Sequence, residues 1–349
     1  MEHQLLAYGS DKCYYTYHTM SYIMSDVTLD QSIRKYNLVI SESRSQNTAR
    51  SYSQAMSKFA TLLTDRNVNT ETTTITSCNA SWIIDFIGQL RNYSPATEQL
   101  YLTAVVGYYE FLASEYELDL NLARVRALIR RRQRRVPQKL PQFPRENIEK
   151  VITAVMQASM LPQDDVTSHL RILRDKAFIL TLSDTGLRIS EACSLTRGQY
   201  DRNEHQAVVI IKGGRESIVR FSQRAHNAIS NYIEARGPRD GASGRALSSL
   251  PLFARHDRGS GNKTIPIKTV GARNIVNRWV KHVLGPNSVG SITPHSFRHY
   301  FVTIVLRGSG GNLKLAQELA RHKSIAITQR YAHLTDDDLD RGYHKIFDE

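Results

Sequence analysis

The chain has 349 residues, 41% apolar and 23% charged, a globular composition long enough for one large core or two ordinary ones. Lys and Arg number 46 against 33 Asp and Glu, and the resulting formal charge of +13 points to a polyanionic partner and argues against an acidic solvating tail. Three widely spaced cysteines (Cys13, Cys78, Cys193) argue against a disulfide framework or zinc site, and no run approaches the roughly 20 apolar residues of a membrane helix. A soluble, unprocessed protein of a reducing cytoplasm is expected, with no membrane partner.

Residues 1–25 are tyrosine-rich (Tyr8, Tyr14, Tyr15, Tyr17, Tyr22) without a clean period, and Met20 and Met24 are alternative starts. Residues 1–44 are read as an N-terminal extension. From Thr48, apolar Tyr52, Met56, Phe59 and Leu62/Leu63 follow a helical period, and a second helix is predicted at Trp82–Leu90. Ser94-Pro95 has the form of an N-cap followed by proline in the first turn, after which Leu102, Val105, Val106, Tyr109 and Leu112 make a stripe to be buried. Residues 45–135 are therefore predicted to form a small helical bundle, with these aromatics as core.

Charge is unevenly placed. Residues 1–120 hold 8 basic and 13 acidic side chains, residues 121–145 hold 9 and none, residues 146–334 hold 27 and 14, and residues 335–349 hold 2 and 6. Arg124, Arg126, Arg130, Arg131, Arg132, Arg134 and Arg135 fall within twelve residues, then Pro137, Pro141 and Pro144 forbid further helix. This predicts a basic helix end running into an extended linker at 136–144. A solvated helix end would also fit, but the absence of any acid favours phosphate contact, with Arg124, Arg130, Arg131, Arg132, Arg134 and Arg135 as candidates.

Beyond the linker, helices are predicted at about 145–158, 168–183, 188–195, 223–236, 268–284, 295–307, 312–320 and 325–333. Ala207–Lys212 and Glu216–Phe221 flank Gly213-Gly214 in the pattern of a β-hairpin. Residues 145–334 thus read as a second domain, mostly helical with one small sheet.

Familiar catalytic motifs are missing. Gly259-Ser-Gly-Asn-Lys263-Thr264 resembles a phosphate loop superficially, but Asn262 stands where glycine belongs and no strand precedes it. There is no HExxH, no GxSxG and no carboxylate cluster suited to two metal ions, so phosphoryl chemistry would have to run on cationic side chains. Such side chains are present in order. Thr185-Gly-Leu-Arg188-Ile-Ser-Glu191 sets an arginine after a glycine turn, and Thr293-Pro-His295-Ser-Phe-Arg298-His299 places His295 and Arg298 on one helical face. Leu319-Ala-Arg-His322-Lys-Ser follows, with Tyr331 nine residues after His322.

Together with Lys212 at the hairpin turn, these residues resemble the tyrosine recombinase (phage integrase) family, and the resemblance runs from about residue 45 to the end of the chain. It implies a helical core-binding, SAM-like domain and an α-rich catalytic domain closing on DNA as a C-shaped clamp. It implies Tyr331 as the nucleophile of a 3′-phosphotyrosyl bond, Arg188 and Arg298 as the phosphate clamp, Lys212 as general acid, His295 as general base and His322 as a phosphate ligand. Planar, permanently charged guanidinium groups suit the charge that develops on a phosphodiester, and a phenol of ordinary pKa near 10 needs help to lose its proton. No ATP, metal or other cofactor is expected, because the covalent intermediate retains the bond energy.

Glu191 either orients Arg188 or is a solvated helix residue. Arg321 stands where the family often has glycine, and is expected to touch the DNA backbone. The expected partners are double-stranded DNA carrying specific recombination sites and further copies of the chain, a tetramer on paired sites, joined through residues 335–349, where Leu339, Tyr343, Ile346 and Phe347 have helical spacing. The short N-terminal segment favours a Xer- or Cre-like layout over a separate arm-binding domain. Two other readings stand beside recombination: a catalytically silent DNA-binding protein of the same fold, and a type IB topoisomerase-like nicking and closing enzyme.

Overall fold

The computed structural model describes residues 26–136, 144–211 and 214–332. The chain divides into two compact units, residues 1–138 and 139–349.

In the N-terminal unit five helices, α1 (Leu29–Ser43), α2 (Gln46–Asp65), α3 (Ser81–Gln89), α4 (Pro95–Glu115) and α5 (Leu122–Arg132), enclose an aromatic core. Local signals set their starts. Thr28 and Gln31 form a capping box, Ser45 and Ser94 each accept the amide three residues on, Pro95 follows Ser94 as the first helical residue, and Asn121 caps α5. The bundle begins earlier than the sequence reading of an extension through residue 44. Leu29, Ile33, Tyr36 and Ile40 recur at helical spacing and are buried against α2 and α4, so α1 belongs to the core. Gly107 on α4 permits the approach of Tyr36, whose hydroxyl lies 2.5 Å from where a Cβ would stand.

The C-terminal unit is built around α7 (Val166–Thr185), whose Phe178, Ile179, Leu180 and Leu182 are fully buried. Around it pack α6 (Arg145–Ala158), α8 (Ile189–Ser194), α9 (Gln223–Gly241), α10 (Thr269–Leu284) and α11 (Pro294–Gly308). The hairpin is present as β2 (Gln206–Ile210) and β3 (Glu216–Arg220), antiparallel with Ala207 opposite Val219; a two-residue strand β1 (Tyr200–Asp201) joins β2 on the other side. Val209 and Val219 turn inward while Val208 and Ile218 face out, the alternation of a half-buried sheet.

The last two described helices, α12 (Leu313–Ala320) and α13 (Ile325–Ala332), make a separate small cluster with α11, formed by Val302, Leu306, Ala316, Ala320 and Tyr331. Among the described residues no helix is long and apolar enough to cross a membrane.

Candidate active site

The site is organised by two left-handed helix ends. At the end of α7, Gly186 has φ +58°, and a Cβ there would lie 2.4 Å from the Phe301 ring, so only glycine satisfies both backbone and packing. At the end of α12 the same conformation is taken by Arg321, φ +55°, a position at which a side chain costs roughly 1 kcal/mol or more. The arginine here must offset that strain through its contacts.

Two arginines tie these ends together. Arg298, buried on α11, donates from Nη1 to the Gly186 carbonyl at 2.6 Å and from Nη2 to the Ala320 carbonyl. Arg321 donates from Nη1 to the Leu319 carbonyl at 2.8 Å and from Nη2 to the Thr185 carbonyl at 3.1 Å. Each guanidinium satisfies carbonyls left open where a helix stops. Arg321, expected at the DNA backbone, thus turns its fork inward in this chain, and its buried Nε has no hydrogen-bond partner within the described residues.

Arg188 caps α8 beside this brace. Its Nη1 donates to Glu191 Oε1 at 2.7 Å, while its backbone N–H donates to Glu191 Oε2 at 2.9 Å. Glu191 is buried, which decides between its two readings: it orients Arg188, whose side chain remains 39% exposed and open to a ligand. Arg188, Arg298 and Arg321 thus crowd together with one nearby carboxylate. Burial, then the charges of Arg188 and Arg321, pushes Arg298 down to about 10; burial pushes Arg321 to about 10 as well, Arg188 adding to the effect and Glu191 opposing it. Positive charge crowded and partly desolvated in this way is costly unless an anion completes it.

Three histidines gather beside these arginines. Thr293 and Ser296 form a capping box that starts α11, with Pro294 in its first turn, and this places Arg298 and His299 one turn beyond His295. His295 is solvent-accessible at the rim, yet desolvation by its packed side and then the charges of Arg298 and Arg188 hold its pKa below the ordinary imidazole value. His322 is buried and hydrogen-bonds through Nδ1 to Thr328 Oγ1 at 2.9 Å. Burial, followed by Arg298, Arg188, Arg321 and His299, drives it down to about 3. A neutral His322 accepting from Thr328 keeps its proton on Nε2, where it can donate to an anion.

Tyr331 on α13 completes the group. Its ring stacks against His322 with centroids 6.2 Å apart, and its hydroxyl is hydrogen-bonded to Nδ1 of His299. Burial raises its pKa, against the lowering effect of Arg298 and Arg330. The structure thus brings together Arg188, His295, Arg298, His322 and Tyr331. Lys212 and Gly213 lie outside the described residues, as do 137–143 of the linker and the tail after residue 332. The flanking strands close the hairpin through Ile211 and Arg215, with Gly214 at φ +76°.

Comparison with known proteins identifies the family. Residues 146–338 match the model of the phage integrase family, and residues 33–116 match the phage integrase N-terminal SAM-like domain. The chain belongs to the phage integrase family. Tyrosine recombinase XerC of Treponema denticola is 29% identical over 270 residues, covering 76% of this chain and 82% of the relative. XerC of Pediococcus pentosaceus is 26% identical over 318 residues, 90% and 97% respectively. In fold, the chain is similar to the XerH site-specific recombinase in its post-cleavage complex with difH substrate (TM-score 0.64, 16% identity, covering 86% of this chain and 80% of that one). It is likewise similar to a lambda integrase dimer bound to a core site (TM-score 0.61, 15% identity, 93% and 81%). The protein is a tyrosine recombinase, an enzyme of site-specific DNA recombination.

In this phage integrase family member the basic segment divides by contact. Arg124, Arg130, Arg131, Arg132 and Arg135 are exposed. Arg134 is not available in the same way: its Nε donates to fully buried Glu98 at 2.6 Å, and Nη2 donates to the carbonyls of Tyr93 and Leu90. It pins the chain leaving α5 to the first turn of α4. Sequence reasoning also missed His299. Its signal was present, one turn beyond His295, but its partner sits 32 residues away on another helix.

Proposed function

We propose that the enzyme cuts one strand of double-stranded DNA at a specific site by attack of Tyr331 on the scissile phosphate, leaving a 3′-phosphotyrosyl bond and a 5′-hydroxyl. Arg188 and Arg298 hold the non-bridging oxygens, and His322 donates a hydrogen bond to the same phosphate from Nε2. His295, expected as the general base, stands exposed at the rim of the site with no hydrogen bond to Tyr331 among the described residues, and assists from there. Lys212, carried between β2 and β3, protonates the leaving 5′-oxygen. Attack by the 5′-hydroxyl of a second strand reverses the step and completes exchange, so no external energy source enters.

The observation that carries this reading is the convergence of Arg188, Arg298 and Arg321 with a single carboxylate beside a buried tyrosine hydroxyl. A phosphodiester supplies the missing negative charge where guanidinium groups are already fixed, the condition for stabilising a transition state without reorganisation. The exposed Arg124, Arg130, Arg131, Arg132 and Arg135 add sequence-independent phosphate contacts. Residues 136–144 link the DNA-binding bundle to the catalytic unit. The active assembly is a tetramer on paired sites in the cytoplasm, with the acidic residues 335–349 docking on a neighbouring copy.

A nicked suicide duplex, from which the short cleaved fragment diffuses away, tests the chemistry: the native enzyme is expected to form a covalent DNA adduct that Tyr331→Phe does not form. No adduct from the native protein would leave a silent DNA-binding protein. Recombination between two duplex sites separates strand exchange from nicking and closing alone. Removal of residues 335–349 is expected to weaken pairing of two sites while sparing single-site binding; equal loss of both would contradict the docking role.

A further inference from the structure

We propose that His299 is a catalytic residue of this enzyme, the base that takes the phenolic proton of Tyr331 during attack; this rests on Tyr331 being the nucleophile. The hydroxyl of Tyr331 is hydrogen-bonded to His299 Nδ1, and the two rings lie 5.3 Å apart between centroids. Among the described residues no hydrogen bond joins His295 to Tyr331. His295 instead packs edge-on against His299, 4.3 Å between centroids, one turn earlier on α11. The reacting oxygen therefore meets His299 first.

The groups around His299 are His295 and Arg298 on its own helix, His322 from the turn after α12, and Tyr331 from α13. Burial, followed by His295 and Arg298, pushes the imidazole down to about 4, while burial raises the phenol. At neutral pH the pair is thus a neutral acceptor facing a protonated donor. Such an imidazole is a weak base when the site is empty. A bound phosphodiester neutralises part of the charge of Arg188 and Arg298, which raises the basicity of His299 when the nucleophile is needed. The coupling also discourages ionisation of Tyr331 without DNA.

The step balances within the site. The Tyr331 Oη–phosphorus bond forms as the phosphorus–O5′ bond breaks. The phenolic proton moves to His299 Nδ1, and O5′ leaves with a proton from the general acid. On rejoining, the phenolate leaves and His299 returns the proton to it.

The test uses the full chain, a nicked suicide duplex and single-turnover cleavage from pH 5.5 to 9, with His299→Asn, His299→Ala and Tyr331→Phe in parallel. Asparagine keeps a hydrogen-bond acceptor near the phenol but is no base. Duplex binding by His299→Asn is expected to be retained while cleavage slows about 10²- to 10⁴-fold, the slow rate climbing with pH as the phenol ionises unaided. On a duplex with sulfur in place of the bridging 5′-oxygen, whose thiolate leaves without a proton, the defect is expected to persist. Cleavage by His299→Asn within threefold of native at every pH would overturn the proposal. So would a loss that does not recover with pH, the mark of a structural role, or a defect abolished by the sulfur substrate, the mark of a role at the leaving group. His299→Ala is expected to share the defect; should it fail to fold, His299→Asn decides. An adduct still formed by Tyr331→Phe would remove the nucleophile reading itself, whereas normal His299 variants beside an inactive Tyr331→Phe would remove this inference alone.

Discussion

Two groups of buried tyrosines show how one residue type serves structure in one unit and chemistry in the other. In the N-terminal bundle, Tyr36 donates to the Ala104 carbonyl, Tyr109 to the Asn79 carbonyl, and Tyr108 shares a 2.6 Å hydrogen bond with Ser32. Burial raises all three phenols, and no imidazole stands beside their hydroxyls, since residues 26–136 contain no histidine. Tyr331 is just as buried and its pKa also raised, but its neighbours are a neutral imidazole and a surplus of guanidinium groups. The ring is packing in both places. What differs is the presence of a proton acceptor and of an anion site.

The comparison breaks most sharply at the hydroxyls. Tyr331→Phe is expected to abolish the DNA adduct with little change in folding. Tyr109→Phe is expected to cost about 1 kcal/mol in chemical denaturation, leaving the Asn79 carbonyl unpaired, without slowing cleavage. Comparable loss of cleavage in both variants would erase the distinction.

Next in size is the arginine brace. Arg298→Lys cannot span the Gly186 and Ala320 carbonyls with one ammonium, so cleavage is expected to fall about 10²- to 10³-fold in the suicide-duplex assay. Near-native cleavage by this variant would argue that a point charge suffices. Arg321→Gly relieves the left-handed strain but gives up two carbonyl contacts. Stability within about 1 kcal/mol of native is expected, together with a fall in cleavage of roughly tenfold.

Acid should separate the two units. Residues 26–136 contain no histidine, whereas His299 and His322 are held at about 4 and about 3 in the folded catalytic unit. Below about pH 6.5 the unfolded chain binds protons that the folded site refuses, so stability is lost as pH falls from there toward the folded values and is unaffected above it. At pH 5.5 this amounts to about 1 kcal/mol per histidine. Region-resolved amide exchange, corrected for intrinsic rates, should show protection falling around α11 to α13 and not in α1 to α5; equal change in both would contradict the assignment.

The smallest effect concerns the basic segment. Arg131→Ala is expected to lower the slope of log affinity against log salt by about one, with stability unchanged. Arg134→Ala should instead destabilise the bundle by about 2 kcal/mol, because it leaves buried Glu98 without its partner.

Much of this architecture is legible in the residues. Ser94-Pro95 marks a helix start, the Val-Val-Ile-Ile run and the Gly-Gly turn mark the hairpin, and Arg188, His295, Arg298, His322 and Tyr331 stand out by spacing. Helix α1 was hidden because the tyrosine-rich stretch before it has no period, although Leu29, Ile33, Tyr36 and Ile40 repeat at helical intervals. Strand β1 is two residues long, too short to carry a pattern. The inward contacts of Arg134 and Arg321 are not legible, because charge counting locates cations but not their partners, here Glu98 and the Thr185 carbonyl, 36 and 136 positions away. The His299–Tyr331 contact exists only once α13 folds back on α11.

The central claim is that the guanidinium cluster presents a phosphate to Tyr331. It is tested most directly by digesting the adduct formed on a suicide duplex and locating the nucleotide by mass. A 3′-phosphoryl nucleotide on the peptide containing Tyr331 is the expected result; an adduct on any other side chain would contradict it.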